Sequence, residues 1–326
     1  MELITTINPN NMVVNTSQIT TNKSSFIEAN TIEVSLEHLK NDCTIPVFSK
    51  DNESTISHFQ FINETIVVLK SLFPDSELKE PSIRVSHVIK GRIPSAIGKP
   101  AKELLDLEKT IFYERCAFLI EVPQIRNVVN GNELTLSIGG VRAYNQENLY
   151  SRKSLEKFKV FIGFQNKVCT NMCISTDGFS NEIRIGSISE LGKSIDALFG
   201  SYDVDRHLGM MERMSMFNLT ERQFAHFVGK LRMYQHLNKS EQNGVFQIQF
   251  NDSQINHLIK DYYICPNFKR KEDGTINLWN LYNLFTEANK SSYIDSNFER
   301  SVNAYEFINM LGNSLQNNQP NWYINN

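Results

Sequence analysis

"KFKVFIGFQNKVCTNMCIS" occupies residues 157–175, and its reading decides the fold. Phe158, Val160, Ile162 and Phe164 fall on one face, at the period of a strand. Continued past a tight reversal over Gln165–Lys167, a second strand would put Val168, Thr170, Met172 and Ile174 on one face. Cys169, Asn171 and Cys173 would then share the other. Two cysteines four apart on a strand stand roughly 13 Å from each other, at about 3.3 Å per residue. A disulfide needs Cα atoms within about 7 Å, and two ligands of one zinc need comparable closeness. A helix would bring them together, but the β-branched residues and the alternation favour the strand. The pair therefore reads as two small buried hydrophobes rather than a metal or redox site.

Outward from this stretch, more strands appear. "SIRVSHVIKG" (82–91) alternates Ile83, Val85, His87 and Ile89 with Arg84, Ser86, Val88 and Lys90, and "IFYERCAFLIEV" (111–122) is a long β-type run. "ELTLSIGGV" (133–141) places Leu134, Leu136 and Ile138 together after the turn signal "NGN" at 130–132. "EIRIGSI" (182–188) adds another candidate. Before the strands, Phe59, Ile62, Ile66, Leu69 and Phe73 mark one helix stripe, stopped by Pro74. After them the texture turns helical. Ile188, Leu191, Ile195 and Leu198 form a stripe. Thr220 with Gln223 has capping-box spacing, with Leu219 and Phe224 as a hydrophobic staple. Further helices open at Asp252, run along Leu278, Leu281, Phe285 and Ala288, and close the chain over about 303–315. The order predicts an α+β protein: an antiparallel sheet of about five or six strands, then a helical half. The expected divisions are a disordered arm at 1–24, a strand-rich α+β region at 25–190, a helical region packed on it at 191–316, and a polar tail at 317–326.

The 326 residues are 40% hydrophobic and 21% charged, enough to bury a sizeable core. The net charge of −3 argues against a protein coated in positive charge, but averages over faces. The N-terminus has no basic and apolar signal pattern, no run approaches the ~18 apolar residues of a membrane span, and the five cysteines are odd in number and scattered. A cytoplasmic protein with reduced thiols and no membrane partner is the expectation. Phosphate loops, dinucleotide fingerprints and nucleophile elbows are absent, so no catalytic residue, metal ligand or cofactor is nominated. Glu114 and Glu121 fall on opposite strand faces, and His226 and His236 are too far apart on a helix to share a metal.

The surviving signal is charge. Arg84, His87, Lys90 and Arg92 lie in a stretch that also holds Lys99 and no acid. Arg142, Arg152 and Lys153 lie in another, interleaved with Tyr144 and Tyr150. Cations that track phosphates beside rings that stack on bases are how single strands are held. These nine residues are the candidate nucleic-acid contacts, against the bland alternative of an ordinary solvated surface. Trp279, Tyr282 and Asn283 on the helical side read as core.

Several stretches resemble a bacterial family of unknown function, family 3871: "SFIEANTIEVSLEHLKNDCTIPVFSKDNESTISH", "SHVIKGRIPSAIGKPAKELL", "GGVRAYNQENLYSRKSLEKFKVFIGFQNKVCTNMCIS" and "INLWNLYNLFTEANKSSYID". The resemblance implies a product of a conjugative or phage-like mobile element. More distantly, "VCTNMC" and "LWNLYNLFTEA" resemble two motifs of a phage/plasmid-like family, with Met172 where that pattern prefers glycine. Neither resemblance brings an activity. The expected function is non-catalytic nucleic-acid handling, single-strand binding or annealing, with single-stranded DNA as partner. The alternative is a scaffold or an inhibitor of host defence, with a host or element-encoded protein as partner and an apolar patch on the helical half. A novel enzyme would need Glu114, Asn145, Glu147 and Asn148 to converge.

Overall fold

The computed structural model describes residues 25–44, 55–147 and 155–324. The arm expected at 1–24 lies outside the described residues, as do Asn148, Tyr150, Arg152 and Lys153. In chain order the elements are β1 (Ile32–Glu33), α1 (Leu36–Asn41), α2 (His58–Leu72), β2 (Ser82–Val85), β3 (Val88–Arg92), β4 (Lys109–Tyr113), β5 (Arg115–Val129), β6 (Asn132–Ala143), β7 (Glu156–Asn166), β8 (Met172–Cys173) and β9 (Phe179–Ile185). Helices then dominate: α3 (Ile188–Ser201), α4 (Val204–Met214), α5 (Glu221–Tyr234), α6 (Lys239–Gln242), α7 (Asp252–Ile264), α8 (Leu278–Asn289) and α9 (Ile294–Gln316), with the short pair β10 (Asn218–Leu219) and β11 (Ile276–Asn277) between them. The protein is α+β, as the sequence leads one to expect.

The main sheet is antiparallel and seven-stranded, in the order β1-β2-β5-β6-β7-β8, with β9 also on β7. Its longest ladder, β5–β6, turns at Asn130 and Gly131, both with positive φ, as a two-residue hairpin loop demands. One sheet face carries Leu134, Leu136, Ile138, Phe158, Val160, Ile162 and Phe164 into the main core. There Phe61 of α2 meets Phe118 and Phe158 edge-on, at 5.0 and 4.8 Å between ring centres. Gly140 makes this approach possible, because a Cβ there would come within 2.5 Å of the Phe61 ring. The other face holds a smaller cluster: Ala117, Leu119, Val141 and Phe161 are covered by Phe26 and Ile27 and by Ile294, Phe298 and Val302 of α9. The sheet is thus a layer between α2 and the first turns of α9.

The predicted caps hold. Thr220 and Gln223 close a capping box, and Leu219 and Phe224 are both buried. Two expectations are corrected, and one helix is added. Helix α9 begins at Ile294 rather than near 303, because its first turns bury Ile294 and Phe298 against the sheet, a contact that local sequence does not reveal. Helix α4 was not expected; its buried residues are His207, Leu208, Met211 and Met214. The reversal in the opening stretch falls later than Gln165–Lys167. β7 runs to Asn166, and the chain turns through Thr170, whose φ is +59°. Asn166 organises the turn: its side-chain oxygen accepts from the Val168 amide at 3.0 Å, and its carbonyl accepts from the Thr170 amide at 2.8 Å. Cys169 therefore sits in the turn, and Cys173 in the short strand β8. Burial pushes both thiol pKa values up.

The two motifs "VCTNMC" and "LWNLYNLFTEA" meet in space. Asn283 of α8 accepts from the Asn166 side chain at 3.0 Å, its carbonyl accepts from the Asn171 side chain at 2.9 Å, and its own amide donates to the Trp279 carbonyl at 3.0 Å. The Trp279 indole donates to Asn132 at the β5–β6 turn at 2.7 Å. The polar residues of these motifs bolt the helical half to the sheet. At the C-terminus, Tyr323 and Ile324 of the expected polar tail are buried, and the Tyr323 hydroxyl donates to the Phe246 carbonyl at 2.6 Å.

Candidate nucleic-acid interface

"SIRVSHVIKG" reads as one strand but forms two. β2 pairs with β5 up to Val85–Cys116, and β3 pairs with β4 from Val88–Tyr113 in the same continuing register. Between them the Ser86 amide donates to the Arg115 carbonyl, while the Arg115 amide donates to the Ser86 hydroxyl at 3.2 Å. A side-chain oxygen thus replaces a backbone carbonyl and the regular ladder is interrupted. Beyond this break β3 and β4 pair with each other as a separate two-stranded sheet. The pair forms an arm that carries the loop 93–108.

Register decides what the arm presents. Lys90 lies opposite Ile111, and Arg92 opposite Lys109. Residues two apart on a strand and residues directly paired across it share a face, so Lys90, Arg92 and Lys109 form one cationic stripe. Lys90, Arg92 and Lys109 are exposed. Lys109 pairs with Asp106 at 2.7 Å in full solvent, a pair of little strength. The Arg92 guanidinium donates to the Lys99 carbonyl, and the Lys99 ammonium pairs with Glu108, which ties the loop across its mouth. The far end is apolar: Ile97, Leu105 and Leu107 are 75, 59 and 76% exposed.

Of the nine predicted contacts, the structure brings Lys90 and Arg92 together and leaves His87 exposed at the break. Arg84 sits elsewhere, on β2, donating to the hydroxyl and carbonyl of Thr31 at 3.0 and 2.9 Å. It lines a cavity of about 290 Å³ with Glu33, Glu121 and Lys167, a mixed-charge setting. Arg142 and Tyr144 are inside the protein, and the expectation of an open face is corrected for both. The Arg142 guanidinium is fully buried between Glu147 (3.0 Å) and Glu156 (2.5 Å), with the rings of Tyr144 and Phe158 at 4.6 and 4.5 Å. Two carboxylates neutralise it, so no charge is left to attract a phosphate. Burial pushes the Tyr144 hydroxyl up to about 12. Tyr150, Arg152 and Lys153 lie outside the described residues. Lys109 escaped the sequence reading because it is seventeen positions from Arg92, and only strand pairing makes them neighbours.

The residues of the enzyme alternative serve ion pairs: Glu147 pairs with Arg142, and Glu114 lies 3.6 Å from Arg115. Asn145 is exposed on the surface. Among the described residues no group of three or more His, Cys, Asp or Glu side chains is placed to hold a metal ion, and no helix is long and apolar enough to cross a membrane.

A family model described as "Domain of unknown function, B. Theta Gene description" (DUF3871) matches residues 6–324. No curated protein and no solved structure matches the chain.

Proposed function

Because the chain belongs to the DUF3871 family, whose description assigns no activity, we propose its role from geometry: it is a nucleic-acid-handling protein that grips its ligand with the β3–β4 arm. The observation that carries this is the stripe of Lys90, Arg92 and Lys109 leading to the apolar end at Ile97, Leu105 and Leu107. A two-stranded ribbon fits the major groove of a duplex, its cations reach phosphates, and exposed aliphatic side chains contact thymine methyl groups there. The arm's own rings do not form a stacking platform, since Phe112 is partly buried and Tyr113 buried. Geometry therefore favours a duplex over the single strand suggested by the interleaved tyrosines. A setting in a mobile element, inside the cell and close to its DNA, belongs to the same proposal and rests on the sequence resemblance.

The test is fluorescence anisotropy of labelled duplex and single-stranded DNA at several salt concentrations. Three phosphate contacts give a slope of about −3 in log affinity against log salt. Lys90→Glu with Arg92→Glu should cost at least about tenfold in duplex affinity, which is the loss of two such contacts. Absence of binding at low salt, or a charge reversal without effect, refutes the reading. The exposed aliphatic end favours one second reading, a protein-binding arm. In that case Leu105→Asp with Leu107→Asp abolishes capture of a partner while salt has little influence. The exposed apolar residues of the helical half are Met216 after α4, Met233 on α5, Tyr263 and Ile264 on α7, and Tyr293 before α9.

A further inference from the structure

At the root of the arm, a histidine stands between a carboxylate and a thiol. Helix α1 places His38 and Asp42 one turn apart, and Nδ1 of His38 lies 2.8 Å from Oδ2 of Asp42. On its other side, Nε2 of His38 lies 3.0 Å from the Tyr113 hydroxyl and 3.8 Å from Sγ of Cys43. The tautomer follows from the partners. A carboxylate only accepts, so Nδ1 carries the proton. In the neutral ring Nε2 then presents its lone pair, to which either the hydroxyl or the thiol can donate. Cys43 is held in place through its backbone, which bridges Ile111 of β4, while the Thr44 amide donates to the Ile111 carbonyl at 2.9 Å. Cys43 is partly buried against the core, His38 partly exposed and Asp42 exposed, so the cluster lies at the surface within reach of a small reagent.

We propose that Cys43 is a nucleophile served by His38 as general base, with Asp42 orienting the imidazole, and that it takes the acyl group of activated esters or thioesters. A nucleophile, a base within reach and a third group that fixes the base are the parts such chemistry needs. The sulfur forms a bond to the carbonyl carbon while its proton moves to Nε2 of His38. The tetrahedral intermediate then expels an alkoxide or thiolate, which takes that proton back. Water attacks the resulting thioester with His38 again removing the proton, and the acid leaves as Cys43 regains its thiol. In the resting arrangement the Tyr113 hydroxyl is the nearer donor to Nε2 and competes with the thiol. Burial and the Asp42 charge push the Cys43 thiol up to about 11, so little thiolate exists at neutral pH without the base. Cys265, partly buried at the end of α7, has no histidine within hydrogen-bond reach among the described residues and serves as an internal control. The proposal is independent of the arm's ligand.

The experiment treats the full chain with p-nitrophenyl acetate, follows p-nitrophenolate release, and assigns the acetylated cysteine by peptide mass. Cys43 should be acetylated at least tenfold faster than Cys265, with a rate that levels off with pH well below about 11. His38→Gln should slow Cys43 at least tenfold and leave Cys265 unchanged, which separates loss of the base from loss of the fold. Asp42→Asn should slow it severalfold, and Tyr113→Phe should accelerate it by freeing Nε2. Equal rates at Cys43 and Cys265, a Cys43 rate indifferent to His38→Gln, or a rate that climbs steadily toward pH 11 would each overturn the proposal.

Discussion

Arg92 and Arg142 read alike in the sequence, each a cation in a β-type run, yet one stands at the surface and the other at the centre of a knot. Arg142 is enclosed by Glu147, Glu156, Tyr144 and Phe158, and its charge is spent inside the protein. Arg92 lies on an arm that leaves the sheet, where water and any polyanion reach it. Both strands have the same local pattern. They differ in what covers them: β6 lies between two strands and two layers, while β3 has one partner strand in its own small sheet. A basic residue in a strand is therefore a site residue only if the strand has a free side.

The strongest way to break this contrast is Arg142→Met. It leaves Glu147 and Glu156 buried without their counter-charge and should destabilise the protein by about 3–5 kcal/mol in urea unfolding. An unfolding midpoint equal to that of the unaltered protein would show that the knot is not structural. Next comes Asn283→Ala, which removes the side chain joining Asn166 and the Trp279 carbonyl across the sheet–helix junction. The expected cost is about 1–3 kcal/mol, with faster amide exchange in the turn at 167–170. A variant with unaltered exchange there would mean that the turn holds itself.

The interior histidines give the protein a response to acid. Burial, aided by Arg142, lowers the His58 pKa to about 3, and burial lowers that of His207 to about 3. Unfolded histidines titrate near pH 6.5, so both contributions are complete above that pH. Stability should fall as pH drops from about 6.5 toward 3, because the unfolded state takes up protons that the folded state refuses. The slope is at most about 1.4 kcal/mol per pH unit for each histidine. Replacing His207 by Asn should flatten the slope measured by denaturation at several pH values. The smallest expected change is at the arm. Lys90→Glu with Arg92→Glu should move stability by no more than about 0.5 kcal/mol, although it is the pair expected to govern ligand affinity.

Much of the fold is legible locally. Helix α2, strands β6 and β7, the Thr220 cap and the Asn130–Gly131 turn follow from periods of 3.6 and 2 and from turn chemistry. Each of those signals spans a few residues and concerns one element's own faces. The candidate site was legible only in part. Lys90 and Arg92 share a face by simple alternation, but Lys109 joins them through pairing. The cluster at the arm's root draws His38, Asp42 and Cys43 from one short segment, while Tyr113 arrives from β4, far along the chain.

By itself the sequence determined the α+β order, the strand and helix faces, and which positions hold cations, thiols and histidines. These follow from side-chain size, polarity and spacing, which act over a turn or two. The tertiary structure decided the rest. It set which of two like arginines was neutralised, where a long hairpin left its sheet, and that the asparagines of two distant motifs bond to one another. Those outcomes depend on contacts between residues remote in the chain, and a buried charge or amide is tolerable only where the fold delivers its partner.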